Sequence, residues 1–170
     1  MKIDAKDPLT WISRELFESY CGAGSEKLLR FYDKAVEKRN VMAFSLNWLA
    51  ILMLPAWLGY RKQWALWATL AVLGAIIPFI EGLFGLDIPR TSLSAGTLAI
   101  SFMANGLLLM SANSHFVKLK KSGMDTEQIQ GALHNRASSS VSSAFIGAIS
   151  FIVIQLVSAI IAGMFWALPV

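Results

Sequence analysis

The 170-residue chain has one cysteine, two histidines and, over four long stretches, no charge at all. A single thiol makes neither an internal disulfide nor a metal site, so Cys21 is expected as a free thiol in a reducing compartment. Residues 1–20 carry seven charges and no apolar run, which argues against a secretory leader there. "FESYC" (residues 17–21) lacks the small residues that precede a lipidated cysteine. Neither His115 nor His134 has a carboxylate or cysteine at ligand spacing, and no P-loop, His-Glu-x-x-His or Gly-x-Ser-x-Gly motif occurs. The run "SSSVSS" (138–143) has no sequence-adjacent base of the kind that activates a serine. These absences point away from an enzyme, and no cofactor or metal is expected.

Charge is also scarce. Only 15% of residues are charged and 55% are hydrophobic, whereas a soluble domain is about one quarter charged. The charges fall at 2–39, 61–62, 81–90 and 118–136, leaving charge-free tracts at 41–60, 64–80, 91–117 and 137–170. A helix rises about 1.5 Å per residue and a bilayer core is about 30 Å thick. The first tract, at 20 residues, matches that thickness; the second, at 17, is marginal; the last two are ample. The chain therefore reads as an all-α membrane protein, divided into N-terminal amphipathic helices (1–40) and an integral membrane domain (41–170) with a loop at 118–136.

In the first forty residues, Asp7 and Pro8 suit the start of a helix, with Leu9, Ile12, Leu16 and Tyr20 at helical spacing. Ser25 suits the start of a second, with Leu28, Leu29, Tyr32 and Val36 on one face. Such helices are expected at the headgroup plane, where their basic residues meet anionic lipid. In the 118–136 loop, Asp125 and Gln128 have capping-box spacing and predict a helix from Thr126 to about Asn135. Lys118, Lys120 and Lys121 precede it as a further anionic-lipid anchor. Glu81, near a helix end, is expected to be solvated. The net charge of +4 follows this topology and is no nucleic-acid signature.

Basic residues cluster on the cytoplasmic side of membrane proteins. With four spans and the N-terminus inside, nine basic residues lie inside and six outside. If tract 41–60 enters and leaves on one side, eight N-terminal, two at Arg61–Lys62 and four in the third loop total fourteen inside, against Arg90 alone outside. A re-entrant second tract gives twelve to three. Pro55 removes a backbone donor and clashes with the preceding turn, and Trp48, Trp57, Tyr60 and Trp64 suit the membrane–water boundary. Three spanning helices plus a Pro-broken re-entrant segment are expected, with four spans as the alternative.

The stretch "FYDKAVEKRNVMAFSLNWLAILMLPAWLGYRKQW" (31–64) carries Tyr32, Phe44, Asn47, Trp48 and Ala50, then Trp57, Tyr60, Arg61, Lys62 and Trp64. It resembles a bacterial inner-membrane family with a domain of unknown function. That family often has Gly–Pro before the tryptophan, where this chain has Leu54–Pro55–Ala56. It also tends to carry an Ala–Asn element beside an aromatic residue; Ala104 and Asn105 are present and the aromatic is not. The resemblance implies a small multi-pass protein of the inner membrane and brings no catalytic residue.

Asn47, Trp48, Trp57, Tyr60, Arg61 and Lys62 are accordingly the candidate recognition or lipid-facing residues. Asn105 and Gln155, near the middles of the third and fourth tracts, are candidate packing amides, with one expected to satisfy the other. The same amides, with Asn113 and His115, are the alternative lining of a polar path. Ser143 with Gly147, and Ala159 with Gly163, form small-xxx-small pairs that let helices approach. Two function classes fit. One is a membrane interaction protein: an adaptor, assembly factor or immunity-type binder with a membrane-protein partner. The other is a transport or channel component acting as a homo-oligomer, for which neither an internal repeat nor a charge within a tract is found.

Overall fold

A computed structural model describes residues 11–22, 25–41, 45, 47–86, 90–137 and 140–166, with the backbone alone for 90–96, 137, 165 and 166. The expected start at Asp7–Pro8 and the motif residue Phe44 lie outside the described residues. Among the described residues the chain is all-helical: α1 (Arg14–Cys21), α2 (Glu26–Glu37), α3 (Trp48–Tyr60), α4 (Trp64–Phe84), α5 (Arg90–Lys121), α6 (Thr126–Ala137) and α7 (Val141–Trp166). They form two units, Met1–Trp48 with Ile100–Ser139, and Leu49–Ala99 with Ser140–Val170.

The first unit gathers α1, α2, α6 and the later part of α5. α1 starts at Ser13, whose Oγ accepts the Leu16 N–H at 3.3 Å. Ser25 stands where a cap of α2 is expected, yet its side chain is buried and makes no cap bond. α6 begins with both capping-box bonds: Gln128 N–H donates to Asp125 Oδ1 at 2.8 Å, and Asp125 N–H to Gln128 Oε1 at 3.2 Å. The amphipathic pattern of α1 and α2 is spent inside this unit. Leu16, Phe17 and Tyr20 of α1 and Leu28, Leu29 and Tyr32 of α2 are buried, as are Leu108, Leu109 and Phe116 of α5 and Ile129 and Leu133 of α6. Phe17 stacks on Tyr32 with ring centres 5.4 Å apart. The apolar faces expected at the headgroup plane therefore form a protein core, with the charged faces outward. Cys21 is buried among them.

The second unit contains α3, α4, α7 and the first residues of α5. Among the described residues, two helices are long and apolar enough to cross a membrane: α4, and α7 over Val141–Met164. Only 11% of each apolar window is buried, so neither is the enclosed core of a water-soluble fold. Two such helices contrast with the three expected. Tract 91–117 is helical throughout, but Ser101, Asn105, Ser111 and Asn113 dilute it, and its second half supplies the core of the first unit. A fully enclosed helix is apolar all round, just as a lipid-facing one is.

α3 has 13 residues, with Met53 outside helical geometry at φ −144° and ψ 58°. The break comes two residues before Pro55. Proline then falls in the first turn of the following helical segment, where its missing N–H costs nothing. α4 ends at Gly85, φ +61°, with Leu86 N–H bonded to the Glu81 carbonyl. Glu81 itself is buried, against the solvated position expected.

Candidate functional site

The candidate residues divide between the units. In the first, Asn47 Nδ2 donates to Asn105 Oδ1 at 2.9 Å, and Asn105 Nδ2 donates to Ser45 Oγ at 2.8 Å. Both ends of the Asn105 amide are thus used, which suits a side chain only 7% exposed. Trp48, next in sequence, is 65% exposed, open to lipid or to a partner. One motif residue is a structural bond and its neighbour is a free surface.

In the second unit the end of α3 carries Trp57, Tyr60, Arg61 and Lys62. Trp57 is buried. The helix stops because Lys62 takes a left-handed conformation, φ +51°. Lys62 N–H reaches the Gly59 carbonyl and Gln63 N–H the Leu58 carbonyl, at 2.9 and 2.8 Å. This paired pattern normally uses glycine at the left-handed position. Lysine there costs about 1 kcal/mol of backbone strain. The turn leaves Arg61 with its guanidinium carbon 5.1 Å from the Tyr60 ring centre, a planar cation lying on an aromatic face.

Behind this turn α3 and α7 meet backbone to backbone. A β-carbon on Gly59 would strike the Ser143 carbonyl oxygen and stand 3.1 Å from Gly147 Cα. One on Gly147 would lie 2.9 Å from the Pro55 carbonyl oxygen. Of the two small-residue pairs, Ser143/Gly147 makes a close helix crossing, whereas a β-carbon on Gly163 would meet nothing within 4 Å. The serine run begins α7: Ser143 N–H donates to Ser140 Oγ, Ala144 N–H to the Ser140 carbonyl, and Ser140 N–H to the Tyr60 carbonyl.

Gln155 belongs to the second unit. Its Nε2 donates to the Ala71 carbonyl at 3.2 Å, and one turn on Ser158 Oγ donates to the Ala75 carbonyl at 2.6 Å. Both bonds go to α4 just before Pro78. Proline has no N–H to return to the carbonyl four residues back, and the carbonyls these two bonds reach, those of Ala71 and Ala75, flank that one. That earlier residue is Gly74, and a β-carbon on it would stand 2.9 Å from both polar atoms of the Gln155 amide. Trp67 Nε1 donates to the Gly147 carbonyl at 2.9 Å. Ser158, Gly74 and Trp67 were not singled out in the sequence, although Gly74 four residues before Pro78 was the available signal.

The remaining candidates belong to the first unit. Asn113 Oδ1 accepts the buried Ile12 N–H at 2.9 Å, and the Tyr32 hydroxyl donates to the Ile12 carbonyl at 2.8 Å. The three lysines after tract 91–117 are not one patch. Lys120 Nζ lies 5.5 Å from the Phe116 ring centre, while Lys118 faces a separate cleft with His115 and Arg136. No group of three metal-ligating side chains occurs among the described residues. Comparison of the chain with family models, with characterised proteins and with solved structures gives no match.

Proposed function

We propose that this chain is a small multi-pass protein of the bacterial inner membrane that works by binding: an adaptor or immunity-type protein whose cytoplasmic helices recruit or neutralise a membrane partner. The resemblance of residues 31–64 to an inner-membrane family supports that location. α1 packs against both α2 and α6, so these three helices lie on one side of a bilayer and an even number of crossings separates α2 from α6. α4 supplies one. α3, at 13 residues, reaches about 20 Å against a core of about 30 Å. It therefore dips in, bends at Met53 and returns, and the first twenty or so residues of α5 provide the second crossing. α7 crosses once more. Fourteen basic residues to one then favour the cytoplasm for α1, α2 and α6.

The observation that carries the binding reading is how the polar groups of the apolar unit are used. Gln155, Ser158 and Trp67 each donate to a neighbouring helix backbone, and Gly59 and Gly147 bring two backbones together. Those groups hold helices to one another; a transport path needs them facing a cavity. On the cytoplasmic face Arg61 and Lys62, beside the re-entrant turn, offer a planar fork and a point charge to lipid phosphate or an acidic partner. N-terminal charges, Lys118, Lys120 and Lys121 add attraction to anionic lipid.

The test is purification in dodecyl maltoside with identification of co-purifying chains, for the wild type, Arg61→Lys and Lys62→Gly. A recognition role predicts that both substitutions lose the partner. Lys62→Gly should at the same time raise stability by about 1 kcal/mol, through relief of the left-handed strain. Retention of the partner by both variants would reduce Arg61–Lys62 to a membrane anchor. Ion flux through liposomes containing this chain alone would favour the transport reading.

A further inference from the structure

α5 and α6 enclose a cleft of about 390 Å³ whose lining includes His115, Lys118, Asn135 and Arg136, together with Leu119 and Ala132. No lining residue is acidic. The salt bridge of Arg14 with Asp33 lies elsewhere in the unit. A lysine, an arginine, an imidazole and a side-chain amide therefore line one cleft, with no carboxylate among its described lining residues. Like charges held together raise the energy of the folded state unless an anion joins them. The sequence places these groups deliberately close. His115 and Lys118 are three apart and share one face of α5, while Asn135 and Arg136 close α6 opposite. Helix C-termini favour cations, but that preference is satisfied by each helix separately and does not require both sets to line one cleft.

We infer that this cleft binds a phosphate group, with Arg136 as a planar two-donor fork, Lys118 as a point charge, and Asn135 and His115 as neutral hydrogen-bond donors. Arginine matches the geometry of a tetrahedral oxyanion with parallel N–H bonds. The apolar pair, Leu119 and Ala132, leaves room for the organic part of a phosphate ester. A phospholipid headgroup and a free phosphate share this chemistry. The site needs only that the first helical unit is folded, so it stands whether or not that unit recruits a protein.

His115 provides a reporter outside the proposed crossing segment of α5. Its imidazole is held below the ordinary histidine value by partial burial and then by Arg136 and Lys118. The groups facing it are Lys118 on its own helix, Arg136 on α6, and the Tyr20 ring on α1, 6.2 Å away between centres. A bound phosphate would offset the two cations and raise its titration midpoint.

The experiment uses the full chain in dodecyl maltoside, which carries no phosphate, with imidazole resonances followed by NMR. The probes are inorganic phosphate and dihexanoyl phosphatidic acid below its micelle concentration. The expected result is saturable binding that raises the His115 midpoint, weakened about tenfold by Arg136→Gln, since a hydrogen bond to a charged group is worth about that factor. Lys118→Gln should weaken it as well, while Lys121→Gln, outside the cleft, should leave it unchanged. Binding of the lipid alone assigns the site to a headgroup, and binding of both assigns it to the phosphate itself. The inference is overturned if neither probe moves the His115 signals. It is also overturned if Lys121→Gln weakens binding as much as Arg136→Gln, which would mean only diffuse surface charge. Loss of the protein partner with phosphate binding intact would sink the adaptor reading alone.

Discussion

Gly59→Ala and Gly147→Ala should each destabilise the apolar unit by about 1–3 kcal/mol, the usual cost of forcing extra volume into a closed contact. On composition alone the opposite is expected, because alanine is the better helix former by about 1 kcal/mol. Packing decides the sign here. The atoms a new β-carbon would meet are backbone: the Ser143 carbonyl and Gly147 Cα for Gly59, and the Pro55 carbonyl and Gly59 Cα for Gly147. Backbone cannot swing aside as a side chain does, so α3 and α7 must separate. Separation also strains the Trp67 Nε1 bond to the Gly147 carbonyl. Because either methyl alone parts the helices, the double variant should cost less than the sum of the two. Gly163→Ala is the control, since nothing lies within 4 Å of its β-carbon, and it should be neutral or mildly stabilising. Thermal unfolding in dodecyl maltoside reads all four variants.

Asn113→Leu should cost the first unit about 1–3 kcal/mol, the penalty for a buried donor left without an acceptor. The orphan would be the Ile12 N–H, which lies outside any helix and has Asn113 Oδ1 as its partner. Leucine restores volume and apolar surface, so a neutral result would mean that the bond is not formed. The other side of Ile12 supplies a pH signature. Its carbonyl accepts from the Tyr32 hydroxyl, and burial, then the Asp33 carboxylate, raise the Tyr32 pKa above the ordinary value of 10.0. Below that value the phenol is neutral whether folded or unfolded, so stability is unaffected. Above it the unfolded chain ionises first, and stability falls as pH rises toward the folded value. Tyr32→Phe should lower stability at neutral pH and remove that alkaline loss. Unfolding followed between pH 8 and pH 11 separates the two effects.

Local chemistry was readable in the sequence wherever the signal is itself local. Asp125 and Gln128 stand three apart and make both capping-box bonds. Pro55 marks a real break, displaced to Met53 because proline is tolerated in the turn that follows a break. Ser143 and Gly147 mark a real close crossing. Partnerships between distant residues were not readable in the same way. Asn105 and Gln155 are both amides in apolar helices, and nothing in either stretch says that one pairs with Asn47 and Ser45 while the other serves the Ala71 carbonyl.

Tract 91–117 shows the deeper ambiguity. Absence of charge is demanded by lipid and equally by burial on all sides within protein. α5 combines a first part that belongs to the apolar unit with a second part that forms the core of the other. The amphipathic pattern of α1 and α2 has the same double meaning, because an apolar face fits a membrane surface or a protein core. Only the packing of Leu108, Leu109 and Phe116 with those faces distinguishes the two. The candidate motif was split for a related reason: adjacency in sequence kept Asn47 and Trp48 with Trp57, although the first two belong to one unit and Trp57 to the other.

The proposed topology has α1, α2 and α6 in the cytoplasm, α3 turning back, and α4 and the first part of α5 each crossing the membrane. In a Cys21→Ser background, single cysteines replace Gln63, Leu86 and Asp125, and intact cells are treated with a membrane-impermeant thiol reagent. The account predicts labelling at Leu86→Cys, with Gln63→Cys and Asp125→Cys reacting only after the membrane is opened. Labelling of Gln63→Cys in intact cells, with Asp125→Cys still protected, would make α3 a full span and contradict it.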